Sequence, residues 1–357
     1  MAPPSEPPGP PGPGGATYAG AGVDIAAGDA AVERIRDVVT STARPGVLGG
    51  IGGFGGLFAL DTARFPQPVL VSSTDGVGTK LLVARATGRY DTVGIDLVAM
   101  CVDDLVCAGA EPLFLLDYVA VGRLVPERIE AVVAGVAEGC RRAGCALLGG
   151  ETAEHPGAMA PDDLDIAGFA VGAVGRDAIL GPERVGPGDV LVGLGSPGLR
   201  SNGYTLARHV LLERAERPLD GPAWPGAPHS LADELLRPSV IYAPSVLAAT
   251  ATGGVHACAH ITGGGIAANL ARVLPEGCDA VVELGAWEVP AIFTEIARLG
   301  EVADDEMSRV FNLGLGMVLV CAASGVGTVL DALGAAGRPG TVVGAVTGGG
   351  AGSVRLR

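Results

Sequence analysis

The sequence is poor in several residue types on which common protein classes depend. Aromatic residues make up only 4% of its 357 positions, so Ala, Val, Leu and Ile have to form the hydrophobic core. No run of about 18 uncharged apolar residues occurs, and this absence predicts a chain that does not span a membrane. The N-terminus has neither the cationic start nor the apolar segment of a secretory signal, which predicts a cytoplasmic protein.

Cysteine motifs and positive charge are also limited. The seven cysteines include no Cys-x-x-Cys pair, so we expect reduced thiols and no structural zinc site. The 24 basic residues face 39 acidic ones, and the net charge of −15 argues against a binder of nucleic acid or of anionic membranes. A small phosphate-bearing ligand remains compatible, because backbone N–H groups and one or two cations can hold it.

Lysine is almost absent. Of the 24 basic residues 23 are arginine, and Lys80 is the only lysine. A bias of this strength is typical of genomic composition. A lysine that is retained despite this bias indicates a position where the larger, planar guanidinium group of arginine cannot replace the compact ammonium group.

Apolar periodicity begins near Asp24 and alternates between helical and strand patterns to the end of the chain. The Pro/Gly-rich residues 1–16 are predicted to form a disordered tail. The turn-rich segment 176–189 is the predicted junction between an N-terminal domain, residues 17–178, and a C-terminal domain, residues 179–357. Strands and helices alternate in both halves, which predicts an α/β or α+β fold.

The predicted elements are spread evenly over both halves. Helices are predicted over 29–42, 92–108, 126–143, 202–214, 239–251, 289–299 and 325–336, and from about 265. Strands are predicted over 68–73, 112–121, 145–150, 166–174, 190–196, 256–261, 281–284, 316–322 and 341–346.

A glycine-rich loop lies at 49–56 and contains a formal G-x-G-x-x-G pattern. Pro45 and Gly46 precede it, and too few residues follow for a crossover helix, so a dinucleotide site is not expected. Two interpretations remain: a flap whose backbone N–H groups cover a phosphate, and a plain flexible loop. The candidate nucleotide-binding residues of this loop are Gly49, Gly50, Gly52, Gly53, Phe54 and Gly55.

The segment 74–80, Thr-Asp-Gly-Val-Gly-Thr-Lys, follows a predicted strand. Its composition suits a Mg²⁺-phosphate site, with Asp75 toward the metal and Lys80 toward phosphate oxygens. It is not a Walker A loop, because the chain contains no Gly-Lys dipeptide. The alternative is a tight turn with a surface lysine. The further candidate residues here are Thr74, Gly76 and Thr79.

Carboxylates recur at two other places. Asp96 and Asp103 lie on one face of a predicted helix among apolar residues, with Asp104 beside that face. They suit metal binding, or else helix capping by Asp96 and a solvated edge. Glu151 follows the Gly-Gly end of a predicted strand and is a candidate metal ligand or base, or part of a turn in which Thr152 caps a helix.

Two more glycine-containing segments, 201–204 and 260–265, each lie between a predicted strand and a predicted helix. Backbone N–H groups at such a position can bind an anion. His260 itself is interpreted as a structural hydrogen-bonding residue. The candidate phosphate-binding residues of the two segments are Asn202, Thr262, Gly263 and Gly264.

Taken in this order, the motifs resemble one family, the phosphoribosylformylglycinamidine cyclo-ligases, also called aminoimidazole ribonucleotide synthetases. The resemblance covers nearly all of residues 18–347. The matching stretches are AGVDI (21–25), GGIGGFGG (49–56), TDGVGTK (74–80), GIDLVAMCV (94–102), GAEPLFLLDY (109–118), GGETAE (149–154), DIAGFAVG (165–172), SNGYTL (201–206), HITGGG (260–265) and FNLGLGM (311–317).

The resemblance implies the two-domain fold of a superfamily of ATP-dependent enzymes and a homodimer whose N-terminal halves share a β-barrel. Residues 17–178 would bind ATP and metal, and residues 179–357 would complete the cleft. The implied reaction converts formylglycinamidine ribonucleotide and ATP into aminoimidazole ribonucleotide, ADP and phosphate through an imidate phosphate, in purine biosynthesis. The rival interpretations are a kinase of the same superfamily with another substrate and a catalytically silent dimeric scaffold.

The resemblance also implies roles for the candidate residues. Asp75 and Asp96 would bind Mg²⁺, with Asp103 and Glu151 as further ligands, and Lys80 would neutralise phosphate charge. The glycine loop closes over the nucleotide, Asn202 and the 262–264 turn hold a phosphate, and Glu151 and Asp104 are candidate bases.

Three departures from the family pattern stand out. The family usually has Asn where this chain has Asp103, and commonly has His where this chain has Arg200. The loop 155–159 is also altered.

Overall fold

The computed structural model describes residues 16–50 and 52–357 and shows a mixed α/β fold built on two main sheets. The predicted mixture of strands and helices is confirmed. Most of the predicted tail, residues 1–15, lies outside the described residues. None of the helices in the described part of the chain combines the length and the apolarity that crossing a bilayer requires.

The secondary structure follows the predicted alternation closely. The helices are α1 (Ile25–Thr40), α2 (Lys80–Thr87), α3 (Val93–Cys107), α4 (Pro126–Ala143), α5 (Tyr204–Arg208), α6 (Leu231–Leu235), α7 (Ala243–Thr250), α8 (Gly265–Ala271), α9 (Ala291–Gly300), α10 (Asp304–Val310) and α11 (Val326–Ala335). The strands are β1 (Val47–Leu48), β2 (Leu57–Phe58), β3 (Pro68–Gly76), β4 (Glu111–Val121), β5 (Ala146–Glu154), β6 (Leu164–Gly175), β7 (Val190–Gly195), β8 (Val255–His260), β9 (Cys278–Val282), β10 (Leu315–Cys321), β11 (Gly340–Gly348) and β12 (Val354–Leu356).

Four strands of the N-terminal half form a sheet in the order β3-β6-β4-β5. Helices α3 and α4 cover one face, where Leu115, Val119 and Val121 of β4 are buried. Side chains alternate across a strand, so the intervening positions point to the other face. That face leaves Leu70, Tyr118 and Phe169 exposed, at 62%, 41% and 43% of their surface.

Six strands of the C-terminal half form the second sheet, in the order β12-β9-β11-β7-β10-β8. Strand β10 is buried along its whole length, which fits its continuous apolar sequence. The chain passes from the first sheet to the second between Gly175 and Val190, where the sequence is rich in turn residues.

Helix α3 joins the two halves because it packs against both β3 and β8. Nearly all of its side chains are buried, including those of Asp96 and Asp103. Two carboxylates on a helix whose side chains are nearly all buried need partners, since an unpaired buried charge is very costly. Asp96 pairs with Lys80 of the same half and accepts from Ser239 of the C-terminal half, which also supplies Arg200 to Asp103.

The sequence-based elements differ from the structure mainly where elements are short. Helices α2, α6 and α10 were not predicted. The predicted helix 202–214 is divided, because α5 ends at Arg208 and a π-helical turn continues over His209–Arg214.

The crossing of α3 and α4 depends on Gly94. A Cβ atom there would lie 2.2 Å from the backbone nitrogen of Val136, so neither helix can yield without moving its backbone. We expect Gly94→Ala to lower the free energy of unfolding by about 3 kcal/mol in urea titrations. The matched control is Gly28→Ala in α1, where a Cβ meets nothing within 4 Å and should raise stability by about 0.5–1 kcal/mol. Equal stabilities of the two variants would contradict this packing.

Candidate active site

Asp75 stands near the end of β3, at the boundary between the two halves. Its carboxylate accepts a hydrogen bond of 2.7 Å from the N–H of Gly76. Burial, together with the negative charge of Asp104, raises the pKa of Asp75. A carboxylate that the fold destabilises in its ionised form is well suited to receive a cation.

Asp104 lies on α3 and is held from two sides. One ring nitrogen of His260, Nδ1, lies 2.8 Å from its Oδ1 atom, and Ser73 Oγ donates to its Oδ2 atom at 2.9 Å. Burial opposes ionisation of Asp104, but the hydrogen bonds with His260 and Ser73 outweigh it and lower its pKa. Asp104 is therefore an ordered carboxylate at neutral pH.

The donor set near Asp75 is open and not a closed metal cage. The described residues contain no group of three or more His, Cys, Asp or Glu side chains arranged around one metal position. Magnesium in nucleotide enzymes is usually held by one or two carboxylates, substrate phosphates and water. Asp75 and Asp104 fit a Mg²⁺ ion that arrives with its nucleotide.

The predicted phosphate-binding segments lie close to one another. Thr79 Oγ1 is 3.2 Å from Thr205 Oγ1, which connects the 74–80 segment to the first turn of α5, directly after the 201–204 segment. A Cβ atom on Gly263 would lie 3.9 Å from Asn202 Nδ2, so these two candidates are also neighbours. The Oδ1 atom of Asn202 is buried and has no hydrogen-bond partner among the described residues, which leaves it free for a ligand.

Asn269 shapes the 262–264 turn. Its side-chain Nδ2 donates to the carbonyl oxygens of Thr262, Gly263 and Gly265 at 3.3, 3.2 and 2.8 Å. The helices after the two phosphate segments, α5 and α8, are short, so the turns themselves have to supply most of the donors.

The side chain of Lys80 is not available to a ligand. Its ammonium group is fully buried, 2.6 Å from Asp96 Oδ2, and donates to the carbonyl oxygens of Arg200 at 3.2 Å and Arg237 at 2.8 Å. Burial lowers the pKa of Lys80. The sequence-based role of Lys80, neutralising phosphate charge, requires an accessible Nζ atom, and the structure provides none.

Asp96 is equally occupied. Its Oδ1 atom accepts hydrogen bonds from the N–H of Ser239 at 2.8 Å and from Ser239 Oγ at 2.6 Å, and its side chain has no exposed surface. A metal ion would have to displace Lys80 to reach it. The structure therefore gives Asp96 a structural ion pair in place of the expected metal site.

Asp103 forms the second buried ion pair. Arg200 Nη2 lies 2.8 Å from its Oδ2 atom, and the N–H groups of Tyr242 and Ala243 donate to its Oδ1 atom at 2.8 and 3.1 Å. Burial raises the pKa of Asp103. This carboxylate likewise has no side open to a metal. The seven-residue spacing on α3 predicted that Asp96 and Asp103 share one helix face. That face is in the core and not at a metal site.

The glycine loop and Glu151 lie away from Asp75 within one chain. The loop connects β1 to β2 and lines a cavity of about 90 Å³ beside α1 and the start of β5. Strand β5 is at the opposite edge of the sheet from β3, three strand spacings or about 14 Å away. Glu151 is paired with Tyr118, which is paired with Ala167 opposite Gly76, so it points to the other face from Asp75.

The contacts of His260 and the burial of Asp117 were not indicated by the sequence. His260, interpreted as structural, contacts both Asp104 and Arg200. Asp117 was not singled out, although it lies in register with Gly168, the partner of Asp75. Its Oδ2 atom is buried and has no partner among the described residues, and burial raises its pKa to about 7. A carboxylate at an inward position of a strand, between buried Leu115 and Val119, was the available signal.

Comparison with known proteins follows the same division of the chain. The AIR synthase related protein N-terminal domain matches residues 59–174, and the corresponding C-terminal domain matches residues 186–357. A phosphoribosylformylglycinamidine cyclo-ligase of Anaeromyxobacter dehalogenans is 55% identical over 336 residues, 94% of this chain and 97% of that protein. One of Trichlorobacter lovleyi is 51% identical over 331 residues, 93% of this chain and 95% of that protein.

Solved structures share the fold at low sequence identity. A thiamine-monophosphate kinase from Stenotrophomonas maltophilia superposes with a TM-score of 0.66 at 21% identity, covering 92% of this chain and 95% of that one. The hydrogenase maturation protein HypE in complex with ATP gives 0.64 at 19% identity, covering 91% and 90%. These structures show the same fold, and the sequence relatives are specific: the chain belongs to the phosphoribosylformylglycinamidine cyclo-ligase family.

Proposed function

We propose that this protein uses ATP to close the imidazole ring of aminoimidazole ribonucleotide from formylglycinamidine ribonucleotide, releasing ADP and phosphate. The observation that carries the proposal is the identity of 51–55% with named cyclo-ligases over more than nine-tenths of the chain. The contacts that link the 74–80 segment, which contains Asp75, to the segments that contain Asn202 and Gly263 support it, because ATP chemistry needs anion-binding turns beside carboxylates.

The reaction has two steps. The formyl oxygen attacks the γ-phosphorus of ATP, so that an O–P bond forms and ADP leaves. An amidine nitrogen of the same molecule then attacks the activated carbon, a C–N bond forms, and the C–O bond breaks to release phosphate. The attacking nitrogen loses its proton to a base. Because the attack is intramolecular, orientation of the substrate is the main contribution of the protein to the second step.

The residues of the candidate site have different roles in this reaction. Asp75 and Asp104 would hold the Mg²⁺ ion, which neutralises phosphate charge when bound. Asn202 and the turn Thr262–Gly264 bind and orient a phosphate group, through the Nδ2 donor of Asn202 and the turn's N–H groups, while Oδ1 of Asn202 is free to accept a hydrogen bond from a ligand donor. Thr74, Gly76 and Thr79 shape the loop that approaches the nucleotide; Thr74 Oγ1 is fixed by the carbonyl of Gly168 at 2.8 Å.

The exposed carboxylate of Glu151 remains our candidate base. The glycine loop, with Gly49, Gly50, Gly52, Gly53, Phe54 and Gly55, remains a candidate cover that excludes water from the intermediate. Both lie apart from Asp75 in one chain, so each proposal requires loop movement or a second chain.

The test is a coupled assay of the purified protein with Mg·ATP and formylglycinamidine ribonucleotide, in which ADP and aminoimidazole ribonucleotide are both followed. Formation of the two products in equal amounts supports the proposal. ADP without the aminoimidazole product would indicate uncoupled hydrolysis. Absence of both products from folded protein, followed by ADP release with another substrate of a test panel, would favour a kinase of the same fold.

We also propose a homodimer in the cytoplasm. The open face of the N-terminal sheet carries Leu70, Tyr118 and Phe169, together with Glu151, and exposed apolar side chains on one sheet face are typical of an interface. A second copy seated there would cover this face and bring the base candidate into a shared site. All seven cysteines are free thiols, which agrees with a reducing compartment.

A single charge on that face tests the dimer. We expect Phe169→Glu to convert a dimer into a monomer in sedimentation equilibrium, because an unpaired charge would be buried between the sheets. Val342→Glu, at a comparably exposed apolar position of β11, is the control and should stay dimeric. A wild-type protein that sediments as a monomer at micromolar concentration would exclude this interface.

A further inference from the structure

Arg200 is unusual in both backbone and side chain. It has a left-handed backbone conformation with φ of +64°, uncommon for a residue other than glycine. Its guanidinium group is buried and lies 4.9 Å from the ring centre of Tyr242. Its Nη2 atom contacts two groups at once, Asp103 Oδ2 at 2.8 Å and His260 Nε2 at 2.9 Å.

We propose that Arg200 is a positioning residue that fixes the ring of His260 from its Nε2 side and, through it, the orientation of the Asp104 carboxylate. The proposal rests on the proposed function only in assigning Asp104 to the metal of the nucleotide. The arrangement of protons follows from the contacts alone.

The donors and acceptors around His260 fix where its ring proton lies. A guanidinium group carries only donors, so His260 Nε2 has to accept and cannot carry a proton. The ring proton is therefore on Nδ1, which lies 2.8 Å from Asp104 Oδ1 and donates to it. Asp104 Oδ2 accepts a hydrogen bond from the Ser73 hydroxyl. Each carboxylate oxygen has one fixed donor, and the remaining lone pairs keep a defined direction for a cation.

Asp103 makes this arrangement possible. A guanidinium group buried without a counter-ion would be strongly destabilising, and Asp103 supplies the counter-charge on the same Nη2 atom. The second terminal nitrogen, Nη1, donates to the carbonyl of Val240 at 2.7 Å and holds the plane of the group. Two departures from the family pattern, at 103 and 200, thus form one ion pair, and we infer that they function as a unit.

The first measurement uses the unmodified protein without ligands. Nitrogen-15 NMR distinguishes protonated from bare ring nitrogens, and the chain has only five histidines, so His260 can be assigned by its loss in His260→Phe. We expect His260 with a bare Nε2 and a protonated Nδ1. A proton on Nε2 would overturn the proposal without any assay of ring closure.

The second measurement removes the ion pair as a unit. In Asp103→Asn/Arg200→Met no buried charge is left alone, and the Asn oxygen can still accept from Tyr242 and Ala243. Asp104 still accepts from Nδ1, so we expect the ring proton to stay there and the nitrogen-15 signal of Nε2 to shift because its donor is lost. We expect the affinity for Mn²⁺ with a non-hydrolysable ATP analogue, measured by EPR, to fall about 10- to 100-fold because the ring is no longer fixed. His256, on the same strand with its Nδ1 2.8 Å from Asp189, is an internal control whose signals should not change.

The outcomes separate this proposal from the proposed function. A shifted Nε2 signal with unchanged Mn²⁺–nucleotide affinity would refute the positioning role. If the double variant does not fold, His260→Phe takes its place, since it removes the donor to Asp104 and should show the same loss of affinity; unchanged affinity would again refute it. Absence of ring closure, with the expected tautomer and the expected loss of affinity, would refute only the proposed reaction.

Discussion

Asp75→Asn is expected to lower kcat of ring closure by about 10³-fold or more and to leave the fold intact. Asparagine keeps the shape of the side chain and an oxygen for the N–H of Gly76, but it removes the negative charge that a Mg²⁺ ion on the ATP phosphates requires. Fixed groups that stabilise developing charge commonly supply most of the rate acceleration in phosphoryl transfer, and losing one such group costs about two to three orders of magnitude or more.

The free energy of unfolding of Asp75→Asn should not fall as its activity does. The pKa of Asp75 is raised in the folded protein, so the folded state disfavours the ionised form relative to the unfolded chain. At pH values above that raised pKa, the charge of Asp75 lowers the free energy of unfolding. Asp75→Asn removes this penalty, and we expect the free energy of unfolding to stay equal or to rise slightly.

The measurements are steady-state kinetics and urea unfolding on the same preparation. Asp331→Asn makes the same chemical change at an exposed position of α11 and should alter neither quantity. Turnover of Asp75→Asn within about threefold of the wild type would remove Asp75 from the metal site. A large loss of stability would show instead that the residue has a structural role.

Regular elements were predictable where local signals agree. Helix α4 spans Pro126–Ala143, as predicted, because proline favours its first turn and Gly144, with φ of +74°, ends it. The Asp75 segment was recognisable for a similar reason, since its chemistry lies in consecutive residues. The short helices α2 and α10 were not predicted because they span only two turns.

The environment of the acidic residues was not predictable from local sequence. Asp96 and Asp103 accept hydrogen bonds from Ser239, Tyr242 and Ala243, about 140 residues further along the chain, and the sequence around α3 does not indicate that these residues cover it. Spacing identified a common helix face but could not say whether that face meets solvent or another domain.

The position of Glu151 depends on strand register. The pairing of β4 with β5 shifts between Leu115 and Leu116, and a shift of one residue moves every later side chain to the other face of the sheet. Sequence order placed Glu151 close to the other motifs, but this irregularity directs it to the open face. A motif can therefore be identified from sequence while its direction is decided by a single bulge.

Lys80→Met is expected to destabilise the protein by about 3–5 kcal/mol, the usual cost of removing one partner of a buried ion pair. The Nζ atom has three N–H groups; it donates to the carbonyl oxygens of Arg200 and Arg237 and lies 2.6 Å from Asp96 Oδ2 in an ion pair. This geometry explains why the only lysine of the chain persists at this position. A planar guanidinium group is larger and cannot direct three donors from one point.

The double variant Lys80→Met/Asp96→Asn separates structure from catalysis. It removes the charge left alone by the single change and keeps an oxygen for Ser239, so stability should return to within about 1–2 kcal/mol of the wild type. Urea unfolding measures this coupling, and the KM for ATP is determined on the folded double variant. If Lys80 contacted phosphate, its loss would raise the KM for ATP about tenfold or more while Lys80→Met remained stable. The buried pair predicts the reverse: a large loss of stability in the single variant, recovered in the double, with an ATP affinity close to that of the wild type.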